Sequence, residues 1–143
     1  MTKIQQVLDS KSATQLWSVS PQQSVFEAIQ IMADQKVGAL LVFDNQQLNG
    51  IITERDYARK VITQGKSSRT TQVHEIMTAD VKQVTPNDSI DYCLNLMTDH
   101  YIRHLPVTNN EKVIGIVSIG DLVKAKIQDQ QAMIEQLEHY IHQ

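Results

Sequence analysis

Apolar residues in the first half of the chain occur at spacings that predict short strands and amphipathic helices. A short apolar segment that ends at Ser20-Pro21 is typical of a strand. Ser24 and Glu27 then have the spacing of a helix N-terminus, and apolar residues follow at helical intervals through Met32. The elements predicted after this helix are a strand over residues 39–43, a strand over residues 48–53 and a helix over residues 54–62.

The second half of the chain repeats this order of elements at an offset of 65 residues. Val81 and Val84 mark its first strand, and Ser89 or Asp88 caps the helix that follows. Two further strands, over residues 102–107 and 113–118, precede a closing helix. Identical residues at the offset include Pro21 with Pro86, Ser24 with Ser89, Gly50 with Gly115 and Asp56 with Asp121.

An internal repeat of this kind predicts the architecture. Each unit is too small to bury its own apolar faces, so the two units are expected to pack together. We expect an α+β fold in which two β-α-β-β-α repeats pack about a pseudo-two-fold axis. The alternative, a coincidental α/β pattern, would rarely place these identities at one offset. The predicted segments are a leading turn or strand before residue 14, repeat 1 over 14–63, a linker over 64–75, repeat 2 over 76–127 and a C-terminal helix over 128–143.

Composition narrows the class of protein. The chain has 143 residues and a net charge of −3, which argues against a general nucleic-acid binder. It contains no apolar stretch of membrane-spanning length and no signal-peptide pattern at its start, so we expect a cytoplasmic protein. The single cysteine, Cys93, excludes an internal disulfide and lies on an apolar helical stripe, where we expect it to be buried rather than nucleophilic.

Each repeat contains a motif of glycine, two β-branched residues, a hydroxyl, two variable residues and a carboxylate. The hydroxyls belong to Thr53 and Ser118, each at a predicted strand-to-helix junction, and the carboxylates to Asp56 and Asp121. A carboxylate accepts hydrogen bonds from both hydroxyls of a cis diol, and helix N-terminal amides favour an anion. The same spacing is that of a capping box, a purely structural device, so spacing alone leaves both interpretations open.

Two such motifs in register, each behind the appropriate strand and helix, resemble a pair of cystathionine β-synthase (CBS) domains over roughly residues 16–127. Residues 53–61 resemble small stand-alone bacterial CBS-pair proteins that have no attached enzyme domain. The segments that carry the resemblance are residues 20–32, 37–42 and 50–57 in the first half and residues 76–78, 85–97, 102–107 and 115–121 in the second.

The resemblance implies a regulatory module that binds an adenine nucleotide in clefts between the repeats. Family ligands include AMP, ADP, ATP, NAD and S-adenosylmethionine. The motif aspartate would hold the ribose hydroxyls, the motif threonine or serine would contact phosphate, and the backbone of the first and middle strands would frame the adenine.

The residues around the two motifs differ in charge. Repeat 2 has Arg103 and His104 where repeat 1 has Gly38 and Ala39, and repeat 1 has Arg55 where repeat 2 has Gly120. Arginine binds phosphate bidentately, so Arg103, Arg55 and the linker residue Arg69 are phosphate candidates; a solvated surface arginine is the alternative for each. The residues expected to line the clefts are Lys11, Thr14, Trp17, Thr78, Val81 and Lys82, with simple packing as the alternative role of Trp17. Gly38, Ala39 and His104 are candidate ligand-binding residues as well.

The C-terminal segment has an apolar seven-residue repeat at Ile127, Ile134 and Ile141, with Val123 and Leu137 at the intervening positions. This pattern predicts a helix that extends beyond the globular part and forms a homodimer or partner seam. The alternative is a helix that folds back on its own domain.

The sequence therefore favours an energy or redox sensor that binds an adenine nucleotide and acts on an unknown partner protein. A ligand-free dimeric scaffold is the alternative. We expect no enzyme activity and no metal site, because neither a catalytic set nor a metal-ligand cluster is evident.

Overall fold

The computed structural model describes residues 1–11 and 16–142, and confirms the predicted α+β class. The chain divides into two compact units: unit 1 contains Met1–Thr14 and Lys82–Gln143, and unit 2 contains Gln15–Val81. The elements in chain order are α1 (Ile4–Ser10), β1 (Ser18–Val19), α2 (Val25–Gln35), β2 (Ala39–Asp44), β3 (Gln47–Thr53), α3 (Glu54–Tyr57), a π-helical turn (Ala58–Ile62), α4 (Val73–Ile76), α5 (Ile90–His100), β4 (His104–Asn109), β5 (Lys112–Ser118) and α6 (Ile119–Ile141).

Each unit is built on an antiparallel hairpin, β2–β3 in unit 2 and β4–β5 in unit 1. Both hairpins turn through two residues with positive φ, and both shift register after the equivalent residues Val42 and Val107. Such two-residue turns match the twist of the flanking strands. In unit 2 the short strand β1 adds to β2 in parallel. The turn residues are Asn45 and Gln46 in unit 2 and Asn110 and Glu111 in unit 1.

The main helix of each unit begins and ends in the same way. The hydroxyls of Ser24 and Ser89 accept from the amides of Glu27 and Tyr92, which caps α2 and α5 as predicted. After these helices the equivalent residues Lys36 and Tyr101 adopt left-handed backbone conformations.

Each unit has its own apolar core between the main helix and the hairpin. The predicted burial of Cys93 is confirmed, and burial together with the negative charge of Asp88 raises the pKa of its thiol to about 12. The thiol is therefore protonated and unreactive at neutral pH. The fully buried core residues are Val25, Ala28, Leu40, Val42, Ile52, Val61 and Val73 in unit 2 and Ile4, Cys93, Leu105, Val107, Val117 and Leu122 in unit 1.

The segment before residue 14, predicted as a turn or a strand, forms the helix α1 where it is described. Ile4 and Val7 of this helix are buried in the core of unit 1. The backbone amides of Ile4 and Gln5 donate to the carbonyls of Asp88 and Pro86 at 2.9 and 3.0 Å. The N-terminal segment thus packs with the second sequence repeat, whereas the predicted linker belongs to unit 2.

The strand predicted at Val81 and Val84 is not formed. Val84 alone bridges to Val107 in parallel, donating to Pro106 at 3.1 Å and accepting from Thr108 at 2.8 Å. In a parallel pair every second residue bonds to the neighbouring strand, so the next residue that would face β4 is Pro86, which has no backbone N–H. The carbonyl of Pro86 accepts from Gln5 instead, and pairing stops after a single residue.

The helix predicted over residues 54–62 is α-helical only as far as Tyr57. In the wider turn that follows, the amide of Thr63 donates to the carbonyl of Ala58, five residues earlier, at 3.2 Å. Val61 in this turn is fully buried, so the predicted segment still contributes to the core.

Candidate functional site: the hydroxyl–aspartate caps

The motif of unit 1 lies at the junction of β5 and α6. The hydroxyl of Ser118 accepts from the amide of Asp121 at 3.2 Å, and the Oδ2 atom of Asp121 accepts from the amide of Ser118 at 2.9 Å. This is a complete capping box. The hydroxyl, the carboxylate and the N-terminal amides of a 23-residue helix therefore meet at one point.

The motif of unit 2 has nearly the same geometry at the junction of β3 and α3. The Thr53 hydroxyl accepts from the amide of Asp56 at 3.1 Å, and the Oδ2 atom of Asp56 accepts from the amide of Thr53 at 3.0 Å. The capping arrangement that spacing left open is thus present in both copies. In each motif, the hydroxyl oxygen and one carboxylate oxygen therefore each accept a hydrogen bond from a backbone amide.

A lysine holds each motif carboxylate, but the two lysines come from different parts of the chain. In unit 2, Lys60 contacts the Oδ1 atom of Asp56 at 3.1 Å and donates to the carbonyl of Ile76 at 2.9 Å. In unit 1, Lys11 contacts the Oδ2 atom of Asp121 at 2.8 Å and donates to the carbonyl of Ile116 at 2.9 Å. Asp121 therefore receives both contacts on Oδ2, while those of Asp56 are divided between its two oxygens.

The neighbours predicted from the sequence lie beside the motifs. His104 pairs with Ser118 across β4–β5, and Ala39 pairs with Thr53 across β2–β3. The residue before each also contacts the motif helix, since the carbonyl of Arg103 accepts from Ile119 at 2.9 Å. In unit 2 the carbonyl of Gly38 accepts from Glu54 at 3.1 Å.

Charge is concentrated around the motif of unit 1. Burial lowers the pKa of His104, the positive charges of Lys11 and Arg103 lower it further, and the charge of Asp121 opposes them. Burial alone would raise the pKa of Asp121, but hydrogen bonds from Lys11 and Ser118, with the charge of Lys11, bring it below its usual value. At neutral pH the group therefore contains two cations, a neutral imidazole and one carboxylate.

The motif of unit 2 has an adjacent pocket with a volume of about 330 Å³. The pocket is lined by apolar residues of α2 and the segment after it, and by one lysine and one glutamate: Ile29, Met32, Ala33, Val37, Gly38, Lys36 and Glu54. Gly38 and Ala39 bring no side-chain cation to this position. Arg55 lies half-buried on α3 within the motif itself.

The other candidate residues lie at varied positions. Arg69 is exposed, with its guanidinium 3.9 Å from the centre of the Phe26 ring. Trp17 packs against the core of unit 2, and its carbonyl accepts from Leu41 at 3.3 Å. Thr78 pairs through its backbone with Ile51, and Val81 is half-buried outside any strand. Thr14 lies outside the described residues.

Comparison with known proteins identifies the family. The sequence model of the CBS domain matches residues 11–63 and 73–128. The chain belongs to the CBS-domain family. It carries two CBS domains, and the CBS pair is a regulatory module.

Relatives of this CBS pair agree with it over most of its length. It is 42% identical to the mitochondrial CBS domain-containing protein CBSX3 of Arabidopsis thaliana, over 98% of this chain and 72% of that protein. A solved CBS-domain protein from Burkholderia ambifaria is 50% identical, with a TM-score of 0.87, over 90% of this chain and 96% of that one. The CBS-domain pair of protein MJ0100, solved with 5′-methylthioadenosine and S-adenosyl-L-methionine, is 26% identical, with a TM-score of 0.76, over 87% and 98% of the two chains.

Sequence analysis missed the role of both lysines in this CBS pair. Lys60 follows Asp56 by four residues, the spacing of an ion pair on one helix face, so a local signal was available. Lys11 was expected only to line a cleft, and its partner Asp121 is 110 residues away in sequence. No pattern of neighbouring residues in the sequence predicts that contact.

Within residues 1–11 and 16–142, no three His, Cys, Asp or Glu side chains are grouped so as to hold a metal ion. In the same part of the CBS pair, no helix combines the length and apolarity needed to cross a membrane.

Proposed function

We propose that this CBS pair is a regulatory module that binds an adenine nucleotide, of the AMP, ADP, ATP or NAD class, at its hydroxyl–aspartate motifs. It acts as an energy or redox sensor for a partner protein and catalyses no reaction. The proposed acting species is a cytoplasmic homodimer. The observation that carries the proposal is the pair of matched motifs, each joining a hydroxyl, a carboxylate and helix N-terminal amides at one point.

The chemistry of these groups suits a nucleoside with an attached anion. A carboxylate has room for about four hydrogen bonds, so a motif aspartate can remain in its cap and still accept from ribose hydroxyls. The hydroxyl and the helix N-terminus beside it favour a phosphate. Support for the adenosine part comes from protein MJ0100, whose CBS-domain pair was solved with two adenosine compounds.

Unit 1 is proposed as the main site for a phosphate-bearing ligand. The described contacts of Asp121 all fall on Oδ2, which leaves Oδ1 facing a ribose without loss of the cap. Lys11 and Arg103 supply positive charge near the motif, and His104 is the partner of Ser118 in the pairing of β4 with β5. At the motif of unit 2, the pocket next to Gly38 would accept an apolar part of a ligand against Ile29 and Met32, with Lys36 and Glu54 available to polar groups.

A second function, a ligand-free dimeric scaffold, is favoured by one observation. Both capping boxes and both lysine contacts are complete without any ligand. In that case the motifs would serve only to begin α3 and α6. The two functions differ in whether the purified protein binds an adenine compound at all.

Calorimetric titration with AMP, ATP, NAD and S-adenosylmethionine, after removal of co-purified nucleotide, tests the proposal. We expect micromolar binding of at least one compound. Asp121→Ala should weaken it by about 1–3 kcal/mol, the scale of hydrogen bonds to a charged group, and Asp56→Ala should have a smaller effect. The double variant should not bind.

Asp88→Ala is the matched control for the loss of a structural cap. Asp88 accepts from the amide of Thr85, three residues earlier, in the same unit and with the same spacing as the motif. It should lower thermal stability and leave nucleotide affinity unchanged. Absence of binding to folded wild-type protein would replace the sensor with the scaffold, and equal binding by wild type and the double variant would refute the ribose assignment.

A further inference from the structure

Among the described residues of unit 1, the outer half of α6 buries no side chain. Leu122 is fully buried, but every residue from Gln130 to His142 is exposed. A helical segment of this length is marginal in water by itself, because most helix stability in proteins comes from packing of an apolar face. This half nevertheless carries large apolar side chains, namely Met133, Ile134, Leu137, Tyr140 and Ile141, which are between 48% and 76% exposed.

The apolar residues of α6 form one continuous stripe. Val123, Ile127, Ile134, Leu137 and Ile141 occur at alternating steps of four and three residues once Gln130 is included in the series. These are the core positions of a two-stranded coiled coil. Val123 and Ile127 are 43% and 59% exposed, so the stripe stays uncovered even where α6 packs on unit 1.

We propose that α6 pairs with α6 of a second copy of this chain, in antiparallel orientation, about a centre at Ala132. In this register every core position meets another core position. Val123 lies opposite Ile141 of the partner subunit, Ile127 opposite Leu137 of the partner subunit, and Gln130 opposite Ile134 of the partner subunit. The paired segment is about 27 Å long, at the helical rise of about 1.5 Å per residue.

Charge complementarity selects the antiparallel orientation. Lys124 and Glu138 flank the stripe on the same side, and the antiparallel register places each Lys124 beside Glu138 of the partner subunit, once at each end of the seam. In a parallel pair Lys124 would lie beside an uncharged position. Lys126, on the other side of the stripe, is already paired with Asp91 of its own unit at 2.9 Å.

Pairing of α6 with a second copy does not depend on nucleotide binding. It is tested first through the oligomeric state of the full chain. Sedimentation velocity should give a dimer for the wild type and a monomer for Ile134→Asp with Leu137→Asp. Both side chains are exposed in the unit, so the fold of the globular part should not change. Ala132→Asp, on the outward face of the same helix, is the control and should stay dimeric. A monomeric wild type, or a dimeric double variant, would overturn the proposal.

Orientation is tested with single added cysteines and a short-armed bis-maleimide. Gln131→Cys places the two thiols across the centre of the antiparallel seam, whereas Ile141→Cys places them about 27 Å apart. Cys93 is fully buried and gives no background reaction. We expect rapid cross-linking of Gln131→Cys only, and cross-linking of Ile141→Cys only would show a parallel pair and refute the register. Lys124→Glu should weaken the dimer, and adding Glu138→Lys should restore it.

Discussion

The two units build the same cap with different supports. In unit 2 the carboxylate of Asp56 is held by Lys60, four residues later on the same helical segment. In unit 1 the carboxylate of Asp121 is held by Lys11, which is 110 residues away and follows α1. The cap itself is required by the strand-to-helix junction and is therefore repeated. The groups around it have no such constraint, and they differ in charge, in origin and in burial.

The motif glycines extend this comparison, because both face the segment that packs on their strand. A Cβ atom at Gly50 would lie 2.7 Å from the backbone carbonyl of Thr78 and 2.8 Å from the sulfur of Met77. A Cβ atom at Gly115 would lie 2.7 Å from a terminal methyl of Leu8. A backbone group that pairs with Ile51 cannot move without breaking that bridge, whereas a leucine side chain can rotate.

We therefore expect Gly50→Ala to be the most damaging of the matched substitutions, at about 2–3 kcal/mol, since overpacking against backbone forces the chain apart. Gly115→Ala should cost less than about 1 kcal/mol. Urea unfolding of the two variants against wild type measures both values. Equal losses in the free energy of unfolding would mean that the backbone around Thr78 moves aside as easily as the side chain of Leu8.

The lysines provide the next comparison. Lys11→Ala removes charged hydrogen bonds to Asp121 and to the carbonyl of Ile116 and should cost about 1 kcal/mol, a value reduced for the partial exposure of both side chains. Lys60→Ala removes an ion pair to Asp56, four residues earlier, and a hydrogen bond to the carbonyl of Ile76. It should cost about 0.5 kcal/mol, less than Lys11→Ala because the Lys60 side chain is more exposed. Thermal unfolding in low and high salt measures both.

A second measurement separates the effect of Lys11 on the Asp121 carboxylate from its role in anchoring the segment after α1. Its hydrogen bond and its charge both lower the pKa of Asp121, so this pKa should rise in Lys11→Ala when followed by NMR titration of the carboxyl carbon. An unchanged pKa would show that the Ser118 amide alone controls the carboxyl, and that Lys11 serves mainly to anchor the segment after α1.

What could be predicted from the sequence is what is encoded within a few residues. The caps at Ser24 and Ser89 and both capping boxes depend on contacts between residues three positions apart. The two caps were predicted, and the capping boxes were one of the two interpretations that the spacing left open. The pattern failed where a proline interrupts the pairing. Val84 has the composition of a strand, but the next residue that would face β4 is Pro86, which has no backbone N–H, and pairing stops at one residue.

The spacing of apolar residues could not predict which distant segments of the chain pack together. The few apolar residues of the first segment, Ile4, Val7 and Leu8, allowed an amphipathic turn or a strand, and only its placement on unit 1 favours the helix α1. That placement also brings Lys11 to Asp121. The stacking of Arg69 on Phe26 is a similar case, because nothing in the linker sequence points to that ring.

The smallest expected effect is the pH dependence due to His104 of unit 1, whose position is occupied by Ala39 in unit 2. Burial and the charges of Lys11 and Arg103 hold the pKa of His104 below 6.5 in the folded chain, against the opposing charge of Asp121. Between that lowered pKa and 6.5, the unfolded chain binds more protons than the folded one. Stability should therefore be complete above about pH 6.5 and fall as the pH decreases through this window.

His104→Ala should remove that part of the pH dependence, so that wild type and variant differ in slope between about pH 7 and pH 5. Asp121, whose pKa is also lowered, contributes at more acidic pH, below its ordinary value of 3.8, and therefore does not overlap with this window. Urea unfolding at half-unit steps of pH gives the two slopes directly. Parallel slopes would mean that His104 gains its proton in the folded chain without a loss of stability. The cations of unit 1 would then lie too far from the imidazole to affect its protonation.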